Sequence, residues 1–230
     1  MVDKTMNKIG LTLIAALLLS GAAMFYAHTA WASKAETVSS IAASTNDVEK
    51  GKVLVAYFTW PEPDGVDAST GASRIIVDDK LYGNTEYVAH LIAQHTGGEL
   101  FAIKTERTYP SPHLELIKAA KAEQEAGERP QLATHIKNLE DYDIIFVGYP
   151  NWWYDMPMAI YTFFDEYDFS GKTVIPFVTS GGSNFSQSVE TITGMEKGAK
   201  VIKGPAILTR NVQDAEQVVV SWLKKQGLNK

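Results

Sequence analysis

From residue 52 to the C-terminus, short β-branched runs alternate with stretches whose apolar residues recur every three or four positions. That alternation predicts successive βα units, hence an α/β fold with a five-stranded parallel sheet and helices on both faces. Residues 52–58 (KVLVAYF) read as the first strand, and residues 84–95 as its helix, with Val88, Leu91 and Ile92 on one face and Gly97-Gly98 closing it. A second strand is expected over 99–105. After the turn Tyr109-Pro110-Ser111-Pro112, a helix is expected over 113–125 with Leu114, Ile117 and Ala120 inward. Residues 143–148 (DIIFVG) are apolar on both faces, as a central parallel strand should be. A helix over 156–167, opened by Pro157, follows, then a strand over 173–178 and a helix over 186–196. A fifth strand within 200–208 and an amphipathic helix over 214–226 complete the pattern, and there is no internal repeat.

Two stretches break it. Residues 1–32 carry Lys4 and Lys8, an apolar run and then Ala30-Trp31-Ala32, the layout of a secretory signal with cleavage after Ala32. An uncleaved membrane anchor is the competing reading, because the run approaches spanning length. No Arg-Arg pair precedes it, so a tight cofactor would be acquired after export. Residues 33–50, rich in Ser, Ala and Thr, read as a flexible linker, and residues 51–230 as the domain. The second break is an insertion, residues 61–82, between the first strand and its helix, far longer than an ordinary βα connection. Within it Arg74-Ile75-Ile76-Val77 and Lys80-Leu81-Tyr82 flank Asp78-Asp79, which predicts a small hairpin, expected to act as a flap influencing partner choice.

Composition narrows the chemistry. A formal charge of −6 argues against nucleic-acid binding and favours basic partners or uncharged small ligands. With no cysteine there is no disulfide, thiolate metal site or Cys nucleophile, so redox chemistry would have to come from a cofactor. The Gly-x-Gly-x-x-Gly, Gly-x-x-x-x-Gly-Lys and Gly-x-Ser-x-Gly motifs are absent. His90 and His95 are off the spacing of a metal pair, Glu62, Asp64 and Asp67 read as a solvated loop, and no metal site is expected.

In open α/β sheets ligands bind beyond the carboxyl ends of the strands, where strand order reverses. In a sheet ordered 2-1-3-4-5, the first, third and fourth strands are neighbours, so their loops should converge. After the first come Thr59-Trp60 and, past the insertion, Gly83-Asn84-Thr85, hydroxyls and amides at a helix start that suit a phosphate. After the third come Tyr149-Pro150-Asn151-Trp152-Trp153-Tyr154, with indoles to stack on a flat ring. After the fourth come Thr179-Ser180-Gly181-Gly182-Ser183, whose glycines let the backbone approach a polar ring edge. A phosphate at one end, a stacked face and a hydrogen-bonded edge describe flavin mononucleotide, FMN.

Together with Met156-Pro157 and Ser170-Gly171-Lys172-Thr173, these segments resemble the flavodoxin-like family, specifically a bacterial branch with a Tyr-Pro-Asn-Trp-Trp loop. The resemblance implies a five-stranded flavodoxin fold binding FMN, with phosphate at Thr59, Asn84 and Thr85. It further implies flavin contacts from Pro150, Asn151, Trp152, Trp153, Thr179, Gly181, Gly182 and Ser183. The family's phosphate loop is compact, whereas here residues 61–82 separate its halves, and export is unusual for it. The leading expectation is an exported, periplasmic or extracellular electron carrier meeting a redox partner protein or a small electron donor or acceptor. Alternatives are an FMN-dependent NAD(P)H or quinone reductase and a non-flavin interaction module, with membrane association only through an uncleaved N-terminus.

Overall fold

The computed structural model describes residues 51–61, 73–110 and 112–230. The expected signal, the linker and residues 62–72 of the insertion lie outside them. In chain order the elements are β1 (Val53–Tyr57), β2 (Arg74–Val77), β3 (Lys80–Gly83), α1 (Asn84–Thr96), β4 (Glu99–Ala102) and α2 (His113–Ala126). Then come β5 (Ile144–Pro150), α3 (Met158–Glu166), β6 (Thr173–Ser180), α4 (Ser188–Met195), β7 (Lys200–Val201), β8 (Ala206–Leu208) and α5 (Ala215–Lys225). The main sheet is parallel and runs β4-β1-β5-β6, with β7 and β8 both along the outer side of β6. This is the expected 2-1-3-4-5 order.

Alternation along the strands explains the three layers. On one sheet face Leu54, Ala56, Phe58, Ile145 and Val147 pack with Leu116, Ile160 and Phe163. On the other, Val55, Tyr57, Ile144 and Phe146 pack with Val88, Ile92, Val219 and Leu223. The fifth strand is split rather than continuous, and Pro176 is the reason. Its carbonyl accepts from Gly204 N–H at 3.0 Å, so its ring nitrogen faces the same neighbour and has no hydrogen to donate. The ladder therefore ends at Val201 and resumes at Ala206.

The second strand is shorter than expected. Ile103 N–H still donates to the Tyr57 carbonyl at 2.8 Å, after which the chain leaves the sheet and Thr105 pairs antiparallel with Leu132. The inward face of α2 also differs: Leu114 is 65% exposed, and the buried stripe is Leu116, Ala120 and Glu123. A carboxylate sits on that stripe because Arg107 and Tyr109 both donate to it, which a rule reading Glu as a surface residue passes over.

The hairpin in the insertion forms as expected, with β2 antiparallel to β3. Its turn residues Asp78 and Asp79 have φ of 50° and 60°, the left-handed pair that a tight two-residue hairpin turn requires and that Asp tolerates. Ile75 is buried, and Tyr82 packs on Tyr87 and His90 of α1 at 5.9 and 5.2 Å. No helix among the described residues is long and apolar enough to cross a membrane.

At the C-terminal end of α4, Glu196 is half-buried; burial first, then Asp168 and Asp165, push its pKa up to about 6 from the usual 4.5. Because the folded value is the higher, the protonated form favours folding, and that contribution is lost as pH rises through about 6. Because Glu196 is only partly buried, solvent screening reduces the effect, and Glu196→Gln is expected to stabilise the fold by at most about 1 kcal/mol above about pH 7 and to change little below about pH 4. Urea unfolding midpoints at the two pH values check this.

Candidate functional site

At the carboxyl ends of β1, β5 and β6 a crevice of about 600 Å³ opens, within the size range of small-molecule sites. Thr59 and Trp60 leave β1 to line it, and Asn84 and Thr85 open α1 against it. Pro150, Asn151, Trp152 and Trp153 follow β5 into it, and Thr179, Gly181, Gly182 and Ser183 follow β6. Of the residues named in the three converging loops, only Gly83 and the buried Tyr149 are not in the lining.

Gly83 has a different task. A Cβ there would lie 2.0 Å from Thr59 Oγ1, 3.0 Å from its Cβ and 3.1 Å from its Cγ2. Thr59 Oγ1 would have to move and its Cβ would stay tight however the side chain turned, so a residue without Cβ is favoured where the halves of the split loop meet. Two of the four N–H groups that a helix start leaves without intrahelical acceptors are then used within the protein. Gly83 N–H donates to Glu86 Oε2 at 3.1 Å, and Asn84 N–H to the Ser73 carbonyl at 2.9 Å. The amides of Thr85 and Glu86 and the positive end of α1 are what this end of the crevice offers an anion.

The converging loops are tied to one another. Thr85 Oγ1 and Thr179 Oγ1 share a buried hydrogen bond of 2.8 Å. Asn151 N–H donates to the Thr179 carbonyl at 2.8 Å, and Asn151 Nδ2 donates to the Asn184 carbonyl at 2.9 Å and to Ser186 Oγ at 3.1 Å. Asn184 N–H in turn donates to Ser180 Oγ at 2.9 Å.

The indoles are less available than the sequence suggests. Trp152 meets Phe58 and Tyr109 nearly perpendicular, at 5.5 and 5.4 Å, and Trp60 meets Tyr109 at 5.4 Å. Tyr109 is buried, and its hydroxyl donates to Glu123 Oε2 at 2.8 Å while Arg107 pairs with Glu123 Oε1. Burial, then the Glu123 carboxylate, holds the Tyr109 hydroxyl far above the usual tyrosine range. The aromatic wall is thus braced from behind by a buried carboxylate.

Trp153 and Tyr154 form the corners of a two-residue turn, closed by Trp152 N–H to the Asp155 carbonyl at 2.9 Å and Asp155 N–H to the Trp152 carbonyl at 3.1 Å. Their φ angles are 53° and 63°, left-handed backbone that bulky residues adopt at a cost of about 1–2 kcal/mol each. The turn is stapled from outside. Trp153 Nε1 donates to the Ile117 carbonyl at 2.9 Å, and Lys121 Nζ lies 5.3 Å from the indole centre. Asp155 accepts from Met156 N–H and from the Tyr161 hydroxyl, both at 2.8 Å. Tyr154 lines the crevice and stays 73% exposed.

Sequence reading named no site role for Ser73 or Thr209, nor for a wall from α2: His113, Leu116, Ile117 and Ala120. Helical spacing already places Ile117 and Ala120 inward, though not as site residues, while Leu114 takes the inward place that Leu116 holds. Among the described residues no Asp, Glu, Lys or Arg lines the crevice. Among the described residues no group of three His, Asp or Glu is placed to hold a metal.

Gly83→Ala is expected to cost about 1–3 kcal/mol, an overpacking penalty. Removing the clash in Gly83→Ala/Thr59→Ala should recover a measurable part of it, so a double-mutant cycle on urea unfolding tests the contact; additive losses would deny it.

A family model described as flavodoxin matches residues 76–226, starting inside the hairpin and leaving β1 and Thr59 outside the match. Among solved structures, a protein from Bacteroides eggerthii assigned as a flavoprotein is 27% identical, with a TM-score of 0.60 over 76% of this chain and 98% of that one. Another so assigned, from Bacteroides uniformis, is 29% identical, with a TM-score of 0.57 over the same shares. A flavoprotein from Lactobacillus acidophilus in complex with FMN is 21% identical, with a TM-score of 0.52 over 71% of this chain and 97% of that one; at that distance the likeness is one of fold. No curated protein matches the chain. With the match spanning more than half its length, the chain belongs to the flavodoxin family.

Proposed function

We propose that this protein is an exported flavoprotein that binds FMN in the crevice and carries electrons through it. The observation that carries the reading is the meeting of a helix start, an aromatic wall and a glycine-bearing loop in one crevice, whose described lining holds no Asp, Glu, Lys or Arg. Bound FMN supplies reversible electron chemistry that none of the lining side chains offers.

The residues present suit that cofactor. Thr59, Asn84 and Thr85, with the amides at the start of α1, hold a phosphate through neutral dipoles, binding it without activating it for transfer. Pro150, Asn151, Trp152 and Trp153 set the wall against which a flat ring rests. The Gly181-Gly182-Ser183 backbone meets the ring's polar edge, and a Cβ built at Gly182 finds nothing within 4 Å, so the space before it is open to a ligand. With no acid or base pair among the described lining residues, the protein's part is to bind, orient and tune. Residues 1–32 support export, and a redox partner protein or a small electron donor or acceptor supplies the exchange.

Purified protein mixed with FMN should turn yellow and quench flavin fluorescence with one-to-one saturation; a flavin spectrum and fluorescence unchanged by the protein would refute the reading. Gly182→Val should weaken FMN by about tenfold or more, while unfolding free energy stays within about 0.5 kcal/mol of the parent. A variant that binds FMN unchanged would take Gly182 out of the site.

A further inference from the structure

We infer that Glu86 is a specificity-determining residue of the crevice: its carboxylate, drawn back onto the start of α1, holds down the affinity for the flavin phosphate and so limits how far the protein prefers FMN to riboflavin. This rests on the flavin reading and deepens it, because it names the side chain that sets the strength of the phosphate seat.

The helix start is partly occupied from within. Glu86 Oε2 accepts from Gly83 N–H at 3.1 Å, and the Ser73 carbonyl accepts from Asn84 N–H at 2.9 Å, which leaves a phosphate the amides of Thr85 and Glu86. The Thr85 hydroxyl is itself engaged with Thr179 Oγ1 at 2.8 Å.

Charge adds to this. A helix N-terminus acts as about half a positive elementary charge, felt within the first turn. Glu86 lies in that turn of α1, and one whole negative charge there more than offsets it. Its field reaches the end of β1: burial first, then the Glu86 carboxylate, hold the Tyr57 hydroxyl above its ordinary value. The chain around the seat adds no cation to answer it, since residues 59–73 contain Glu62, Asp64 and Asp67 but no Lys or Arg. Arg74, opposite Gly83 in the hairpin, is engaged by a partner of its own, and Lys80 Nζ stands 4.4 Å from the centre of the Tyr82 ring. Lys104 lines a side cavity together with Glu86 but is exposed, where water and salt screen it. The FMN phosphate is therefore held by hydrogen bonds against an opposing charge, to which riboflavin, having no phosphate, is indifferent.

The bond from Gly83 N–H to Glu86 is half of a capping box, a role that glutamine also fills. Glu86→Gln thus removes the charge and keeps the cap. The test is titration of the parent and its variants with FMN and with riboflavin, followed by flavin fluorescence at low salt. Glu86→Gln should tighten FMN by about fivefold or more and leave riboflavin within about twofold, with Tm within about 4 °C of the parent. Glu86→Ala, which also releases the Gly83 N–H to the phosphate, should tighten FMN at least as much. Glu140→Gln makes the same change of charge at an exposed position before the amino end of β5 and should alter neither flavin. FMN tightened as much by Glu140→Gln as by Glu86→Gln would overturn the inference in favour of net charge. FMN binding unchanged or weakened by both Glu86 substitutions, or equal shifts for the two flavins, would overturn the role of Glu86 and leave the flavin reading standing. A parent that holds riboflavin as tightly as FMN overturns the phosphate seat and this inference with it, and a parent that binds neither overturns the flavin reading as well.

Discussion

The contact between Thr59 and Gly83 is the constraint on which the candidate site depends. It joins the end of β1 to the start of α1 although 23 residues lie between the two. The hairpin keeps that interruption inexpensive. Arg74 pairs with Gly83 across β2 and β3, so Ser73 is returned to Asn84 with a 2.9 Å hydrogen bond. Chain that folds back on itself leaves a shorter loop to close, and closure entropy grows only slowly with length. The insertion is therefore accommodated as an outgrowth of the loop rather than as a break in it.

From that junction the crevice is held by three braces of different physical kind. Thr85 and Thr179 link the helix start to the end of β6 by one buried hydroxyl pair. Glu123, buried on α2 and satisfied by Arg107 and Tyr109, holds the rings that Trp60 and Trp152 rest against. Such a carboxylate is costly if a partner is lost, which makes the wall rigid in its assembled form. The turn at Trp153 and Tyr154 is the reverse case, a conformation unfavourable in itself and maintained by its neighbours.

Much of this was legible in the sequence. The pure β-branched run of β5, the alternation of β1 and the turn residues after each strand gave the layers, and the strand order then brought the loops together. The hairpin was legible because Asp78-Asp79 sits between two β-branched or aromatic runs. Three features were hidden for identifiable reasons. Pro176 splits the fifth strand through a missing N–H whose direction depends on register. On α2 the spacing showed Ile117 and Ala120 but chose Leu114 over Leu116, because a buried Glu123 looks like surface until its partners are known. Gly83 looked like a ligand contact, and its role as a spacer appears only when the distance to Thr59 is measured.

The central claim is that the rejoined loop and the start of α1 seat a phosphate. The most direct measurement compares the affinities of FMN and riboflavin, which differ by that one group. Charge-assisted hydrogen bonds are worth about 1.5–3 kcal/mol each, so two of them require FMN to bind at least about a hundredfold tighter. Equal affinities for the two flavins would contradict the account.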